Sequence, residues 1–226
     1  MIRSRPLTLT RRHLFPATVA FVLTGTAGTI LSPSLRPAKA DTPEVDLAEL
    51  AKAGPDGDVV LGSDKAPVTI IEYFSTTCPH CAHFSTTTFP ELQKRYIDTG
   101  KVRYIFREFP LNALDAAAFM LARCAGNDKF VPVIETLLAK QPEWTVQKPL
   151  PPLHEIAKQF GFTEQSFDAC LANQKVLDAI QDVRDRATTK FGVNSTPTFF
   201  INGKKFVGDQ SIEALGKEID PYLKDG

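Results

Sequence analysis

Two cysteines separated by two residues, Cys78-Pro79-His80-Cys81, are the part of this sequence best equipped for chemistry. Directly before them runs Val68-Thr69-Ile70-Ile71-Glu72-Tyr73-Phe74, a β-branched and aromatic pattern that reads as a strand buried on both faces. It stops at Ser75-Thr76-Thr77, and Pro79 suits the first position of a helix. A C-x-x-C at a strand-to-helix junction reads as a redox pair. Two intervening residues put one sulfur at the helix start and the other one turn in, close enough to form a small disulfide. The partial positive charge and free N–H groups of the helix start stabilise a thiolate on Cys78 and lower its pKa, and a protonated His80 adds a cation nearby. Both effects favour the reduced state, so the disulfide becomes a strong oxidant and Cys78 a good leaving group.

Two other chemistries compete for the same residues. Cys78, His80, Cys81 and His83 are all metal-ligand types. A structural zinc site draws its ligands from separated pairs, and four on one helix start do not converge on a tetrahedral ion, so incidental binding of a soft ion is what this cluster would offer. A purely structural disulfide is disfavoured, because the Pro-His insert at a helix start makes the bond strained and easily reduced.

The elements around the pair give an α/β pattern. Pro90 should kink or divide the helix that begins at Pro79, and Val102-Arg103-Tyr104-Ile105-Phe106 reads as a second strand, parallel to the first in a βαβ unit. From Leu111 to about Phe191 the period turns helical. Leu114, Ala117, Ala118, Leu121 and Ala125 form one apolar face; Leu153, Ile156, Ala157 and Phe160 a second; Val176, Ile180, Val183 and Ala187 a third. Gln141 to Pro152, with four prolines, reads as loop. Strand character returns at Thr198-Phe199-Phe200-Ile201, followed by the hairpin signal Asn202-Gly203 and by Lys205-Phe206-Val207. A closing helix is expected over Ser211 to Leu223, capped by Ser211. Residues 41–66 read as an extended lead-in with one short helix near Leu47 to Ala51, and His154 and Trp144 as surface and packing residues.

Composition bounds the function class. The 226 residues carry 26 Lys+Arg against 26 Asp+Glu and are 43% hydrophobic, ordinary for a globular chain and without the basic excess of a nucleic-acid binder. That neutrality joins two unlike pieces: residues 1–40 hold Arg3, Arg5, Arg11, Arg12, Arg36 and Lys39 and no acid. The basic start, the apolar stretch from Leu14 to about Leu31 and Ala38-Lys39-Ala40 before Asp41 form a secretory signal with cleavage expected after Ala40. Pro16, Gly25, Gly28 and several threonines make the stretch a poor membrane anchor. Thr10-Arg11-Arg12-His13-Leu14-Phe15 resembles a twin-arginine signal; a plain basic leader is the other reading. Either route delivers the chain to an oxidising compartment, where Cys124 and Cys170, each on the apolar side of a helix, are expected to pair in a structural disulfide rather than stay as separate buried thiols.

The segment Glu72 to Cys81, together with Gly192-Val193-Asn194-Ser195-Thr196-Pro197-Thr198-Phe199-Phe200-Ile201-Asn202-Gly203, resembles the DsbA-like thiol:disulfide oxidoreductases. The resemblance covers residues 60–226 and implies a thioredoxin fold with an inserted all-helical subdomain at about 111–191, within a domain spanning 67–226. It implies that Cys78 is the exposed reacting sulfur and Cys81 the buried resolving one. Thr196-Pro197 would be a cis-proline loop that faces the disulfide and binds substrate backbone. Glu72 would be a buried carboxylate with a raised pKa that relays the proton of Cys81. Position 196 is threonine where the strongest oxidases of the family often carry valine.

The expected activity is therefore a periplasmic dithiol oxidase acting on reduced exported proteins. It would need no cofactor or metal, bind no nucleic acid, remain unanchored after signal cleavage, work as a monomer and be reoxidised by a DsbB-like membrane quinone reductase. The alternatives are an isomerase or reductase of the same fold and a periplasmic copper carrier using the Cys/His cluster. The short segment before Val68 leaves no room for the dimerisation domain typical of such isomerases.

Overall fold

Strand β2 (Val68–Phe74) must lose its apolar side chains from both faces to water-free surroundings, and the architecture supplies a cover for each. In the computed structural model, which describes residues 45–223, β2 is the middle strand of a five-stranded sheet. Strand β3 (Val102–Glu108) lies parallel to it, from Val68 opposite Val102 to Phe74 opposite Glu108. On the other side β4 (Thr198–Ile201) pairs antiparallel with β2 and turns through Asn202 and Gly203 into β5 (Lys204–Val207). Both turn residues have positive φ, 45° and 87°, the geometry that Asn-Gly adopts without strain.

Side-chain alternation sorts the sheet into two cores. Val68, Ile70, Phe74, Tyr104, Phe106, Phe199 and Ile201 face α2 (Pro79–Thr87), α3 (Phe89–Leu92) and the helical insertion. Ile71, Tyr73, Ile105 and Phe200 face Leu50 of α1 (Leu47–Ala51) and Val183, Ala187 and Phe191 of the long α9 (Gln174–Phe191). Glu72 has the parity of the first face, the side on which Cys81 lies. Thr88 separates α2 from α3, where Pro90 cannot donate to the preceding turn, and Gln93–Ile97 continues as a π-helical turn.

Between β3 and β4 the described chain is helical: α4 (Ala113–Cys124), α5 (Asn127–Ala139), α6 (Gln141–Trp144), α7 (Leu150–Lys158), α8 (Glu164–Leu171) and α9. The stretch Gln141 to Pro152 is not all loop. Pro142 lies in the first turn of α6 and Pro151 and Pro152 in the first turn of α7, where a missing N–H costs nothing, so only the residues between the two helices are irregular. Helix α5 escaped the periodicity reading because Pro132 interrupts it, although Phe130, Val133, Ile134, Leu137 and Leu138 are all buried. Trp144 is buried with its indole N–H on the Leu137 carbonyl at 2.8 Å. His154 is half-buried against Phe167 rather than a surface residue.

The lead-in also departs from its extended reading. Val59–Leu61 forms β1, antiparallel to β3 at the sheet edge. Arg107, buried behind it, donates to both carboxylate oxygens of Asp58, to the Leu50 and Lys52 carbonyls and to the Tyr73 hydroxyl at 2.8–3.1 Å. The closing helix α10 (Ile212–Ile219) is capped by the Ser211 hydroxyl and runs into a 3-10 turn over Asp220–Leu223. The segment of residues 1–40 read as an export signal, with its expected twin-arginine pattern and cleavage site, lies outside the described residues. Among the described residues no helix is long and apolar enough to cross a membrane.

Cys124, the last residue of α4, is disulfide-bonded to Cys170 in α8, with 6.2 Å between their Cα atoms. A bridge over this span holds α4 and α8 together and restricts the unfolded chain. Replacing both cysteines by alanine should lower the unfolding free energy by about 2–4 kcal/mol, read by urea denaturation, while the Cys78 chemistry persists.

Candidate active site

Strand β2 ends at Phe74, and Ser75–Thr77 turn the chain into α2 with Cys78 as its N-cap residue and Pro79 as its first helical residue. Cys78 has no side-chain capping hydrogen bond as a thiol, and its extended backbone (φ −84°, ψ 123°) directs the sulfur to the place a capping oxygen would take. Cys81 follows one turn later. Both cysteines are free thiols. Cys81 is 1% exposed, and Cys78, expected to be the exposed sulfur, is itself only 7% exposed, lying under the proline loop that enters the neighbouring strand β4 at the same end of the sheet.

That loop contains the cis peptide bond Thr196–Pro197. The Cys78 thiol donates to the Thr196 carbonyl at 3.3 Å, and the buried Thr196 hydroxyl has no other partner among the described residues, so it can donate to the sulfur once Cys78 ionises. The Gly208 N–H holds the Pro197 carbonyl at 2.8 Å and the Thr198 hydroxyl donates to the Ser195 carbonyl at 2.7 Å, fixing the loop on both sides of the cis bond.

The electrostatics of the two sulfurs diverge. The Cys81 thiol donating to Cys78 is the largest influence on it; burial opposes, Thr196 and the backbone N–H groups of Cys81 and His80 assist, and the Cys78 pKa falls to about 5. Cys81 moves the other way, well above the ordinary thiol value, because it is buried, because it serves as donor to Cys78 and because Glu72 adds negative charge beside it. The Ser75 N–H, 3.5 Å from the Cys81 sulfur, partly offsets this. Glu72 is fully enclosed; burial raises its pKa to about 8 against the opposing hydrogen bond from the Tyr104 hydroxyl at 2.7 Å. At neutral pH the site therefore holds a thiolate at Cys78 and protons on Cys81 and Glu72.

The expected residues Glu72, Cys78, Cys81, Thr196 and Pro197 thus converge. The ring of His80 does not: it is exposed, and what His80 gives Cys78 is its backbone N–H. His83 is paired through Nδ1 with Asp209. Among the described residues no three His, Cys, Asp or Glu side chains are grouped so as to hold a metal ion.

Comparison with known proteins agrees with this geometry. The Thioredoxin family matches residues 55–221. The solved structure of alpha-DsbA1 from Wolbachia pipientis superposes with a TM-score of 0.72 at 32% identity, covering 78% of this chain and 96% of that one. Relatives assigned as candidate protein-disulfide oxidoreductases are 36% identical over 81% of this chain in Rickettsia felis and 32% identical over 87% in Rickettsia bellii. The chain spans 66% and 76% of the lengths of those two relatives. The chain belongs to the DsbA-like thiol:disulfide oxidoreductases.

Within this DsbA-like site, sequence reasoning missed four contributors. Tyr104 has the same side-chain parity as Glu72, with Ile70 opposite it across the β2–β3 ladder; a tyrosine in a buried strand was the available signal. Ser75 meets Cys81 only through its backbone. Asp115 and Gln141, from the helical insertion, bond to the turn before Cys78; Asn112-x-x-Asp115 has the spacing of a capping box, whereas Gln141 left no sequence signal.

A pH dependence follows from Cys78. A thiol whose folded-state pKa is depressed stabilises the fold above that pKa, increasingly up to the ordinary thiol range, and loses the contribution as pH falls through about 5. The disulfide form has no such group. The thermal midpoint of the reduced protein, measured relative to that of the oxidised protein, should therefore rise between about pH 4 and pH 8, and a flat difference would contradict the assigned ionisation.

Proposed function

We propose that this DsbA-like protein is a dithiol oxidase of the periplasm that passes the Cys78–Cys81 disulfide to reduced exported proteins. The observation that carries the reading is the placement of the two sulfurs, Cys78 at the N-cap of α2 against the Thr196 loop and Cys81 buried one turn in, which lowers the Cys78 pKa to about 5 and raises that of Cys81. A reduced form that already holds a stable thiolate is a good product, so the disulfide is readily given away.

A substrate thiolate attacks the Cys78 sulfur, the Cys78–Cys81 bond breaks, and Cys81 leaves with the electron pair. Cys81 does not remain ionised in its buried position; it takes the proton of Glu72, and Glu72 regains one from the substrate thiols or solvent before the next turnover. The second substrate thiolate then attacks the substrate sulfur of the mixed disulfide and expels Cys78 as a thiolate. The substrate has lost two electrons and two protons; the enzyme keeps both electrons and one proton, and the other proton goes to solvent. The disulfide is the electron carrier, so the exchange uses no cofactor. Reoxidation requires an external oxidant, for which a DsbB-like membrane quinone reductase is the expected partner. The export signal read in residues 1–40 supports the periplasmic location, and the cis Thr196–Pro197 loop against Cys78 supports the reading that substrate backbone pairs there.

One observation favours a second reading, isomerase or reductase. Position 196 is threonine, where the strongest oxidases of the family often have valine, although the Thr196 hydroxyl, by stabilising the Cys78 thiolate, itself acts in the oxidising direction. The glutathione equilibrium of the Cys78–Cys81 pair separates the two. A potential more oxidising than about −180 mV supports the oxidase, and one below about −250 mV overturns it in favour of the reductase. Cys78→Ser should abolish oxidation of a dithiol peptide, whereas Cys124→Ser should retain it, and equal loss from both would also overturn the assignment.

A further inference from the structure

The turn that carries Cys78 is held from outside the thioredoxin-like core. Asp115, in the first turn of α4 and completely buried, accepts hydrogen bonds from the Ser75 hydroxyl at 2.6 Å, the Thr76 N–H at 2.8 Å, the Thr76 hydroxyl at 2.5 Å and the Leu111 N–H at 2.9 Å. Gln141, buried at the start of α6, uses one amide nitrogen to donate to the Thr76 carbonyl at 2.8 Å and to the Cys78 carbonyl at 3.0 Å. The Asn112 amide adds a donor to the Thr77 hydroxyl at 3.1 Å. Every residue from Ser75 to Cys78 is thus bonded to a side chain of the helical insertion.

These bonds are an expensive way to hold a loop. Burying a carboxylate and an amide costs desolvation that the hydrogen bonds only about balance, and an apolar contact of equal volume would stabilise as well. The Asp115 carboxyl shows the cost, its pKa standing above the ordinary range because burial outweighs the bonds it accepts. What polar partners supply and apolar contacts do not is direction. The groups that stabilise the Cys78 thiolate, the Cys81 thiol first, then the hydroxyl of Thr196 and the N–H groups of Cys81 and His80, are directional, and they reach the sulfur only while the Cys78 backbone keeps its capping geometry. The Ser75 N–H meets Cys81 under the same condition, since Ser75 is clasped by Asp115.

We propose that Asp115 and Gln141 are positioning residues through which the helical insertion sets the acidity of Cys78, and with it the oxidising strength of the pair. The insertion thereby tunes the redox centre in addition to covering it. The proposal rests on the reading of Cys78 as the reacting sulfur, but not on the direction in which electrons flow.

The experiment compares the full mature protein with Gln141→Ala, Asp115→Asn and Leu153→Ala. The last deletes a buried side chain of the same insertion that lines a small apolar cavity with Leu121, Val133, Leu137 and Ile156. Folding is checked by circular dichroism, Cys78 is titrated by thiolate absorbance near 240 nm, and the pair is equilibrated with glutathione. Gln141→Ala should weaken the acid dissociation of Cys78 about tenfold and make the pair more reducing by about 30 mV, the same factor in the exchange constant. Asp115→Asn, which turns an amide N–H toward donors, should shift both quantities in the same direction where it folds. Leu153→Ala should lower the melting temperature and leave both unchanged. If Cys78 titrates alike in the parent and Gln141→Ala, or shifts equally in Leu153→Ala, the insertion does not tune the centre. A reducing parent potential would overturn the oxidase reading instead, and the difference between Gln141→Ala and parent would still decide this proposal.

Discussion

Two sulfurs one helical turn apart have to differ in acidity by several powers of ten, and the rest of the molecule is arranged around that demand. A helix start alone lowers both, because its field reaches across the first turn. The difference arises from placement. Cys78 lies at the N-cap position, where backbone N–H groups and the Thr196 loop receive a negative charge, while Cys81 points into the core toward a carboxylate. The Cys81 proton also bonds to Cys78, so the acidity of one sulfur is bound to the protonation of the other and the two titrate as a pair.

The sheet makes this placement possible by keeping two kinds of buried charge on opposite faces. Strand β3 sends Tyr104 to one face, where it hydrogen-bonds Glu72, and Arg107 to the other, where it meets Asp58. The Arg107 guanidinium is paired bidentately and its remaining donors reach backbone carbonyls and a hydroxyl, so it fastens the lead-in segment and β1 without an uncompensated charge. Glu72 has no cation beside it, and a neutral hydroxyl is its only hydrogen-bond partner among the described residues. The first arrangement holds structure together; the second keeps a carboxylic acid protonated next to a sulfur that needs a proton.

What could be read from the sequence follows the same division between local and long-range causes. The strand-to-helix junction, the Asn202-Gly203 hairpin, the Ser211 cap and the faces of α7 and α9 are local patterns with local physical reasons, and they stand in the structure where the residues place them. The prolines of Gln141 to Pro152 misled because proline marks the first turn of a helix as readily as a loop, and only packing distinguishes the two. Val59–Leu61 is too short to announce itself and becomes a strand because β3 offers an unpaired edge. The resemblance to the DsbA-like family supplied the cis-proline loop, which no local pattern indicates, whereas the burial of Glu72 also followed from its apolar neighbours Ile71, Tyr73 and Phe74 in a strand buried on both faces. Gln141 is beyond either route, since it reaches the Thr76 and Cys78 carbonyls across more than 60 residues of chain.

The cost of this chemistry falls on stability. An acid whose folded-state pKa is raised to about 8 opposes folding at every pH above its ordinary value, because the unfolded chain ionises and the folded one does not. Near neutral pH the Cys78 thiolate returns part of that in the reduced form only, and the disulfide form keeps the penalty without the compensation. The folded protein is thereby biased toward its reduced state by the Cys78 thiolate, which the proton taken up by Cys81 in the exchange in turn supports. Oxidising strength and proton supply are two consequences of one buried arrangement, and the Cys124–Cys170 bridge, the Arg107 cluster and the two cores provide the stability that lets the sheet carry it.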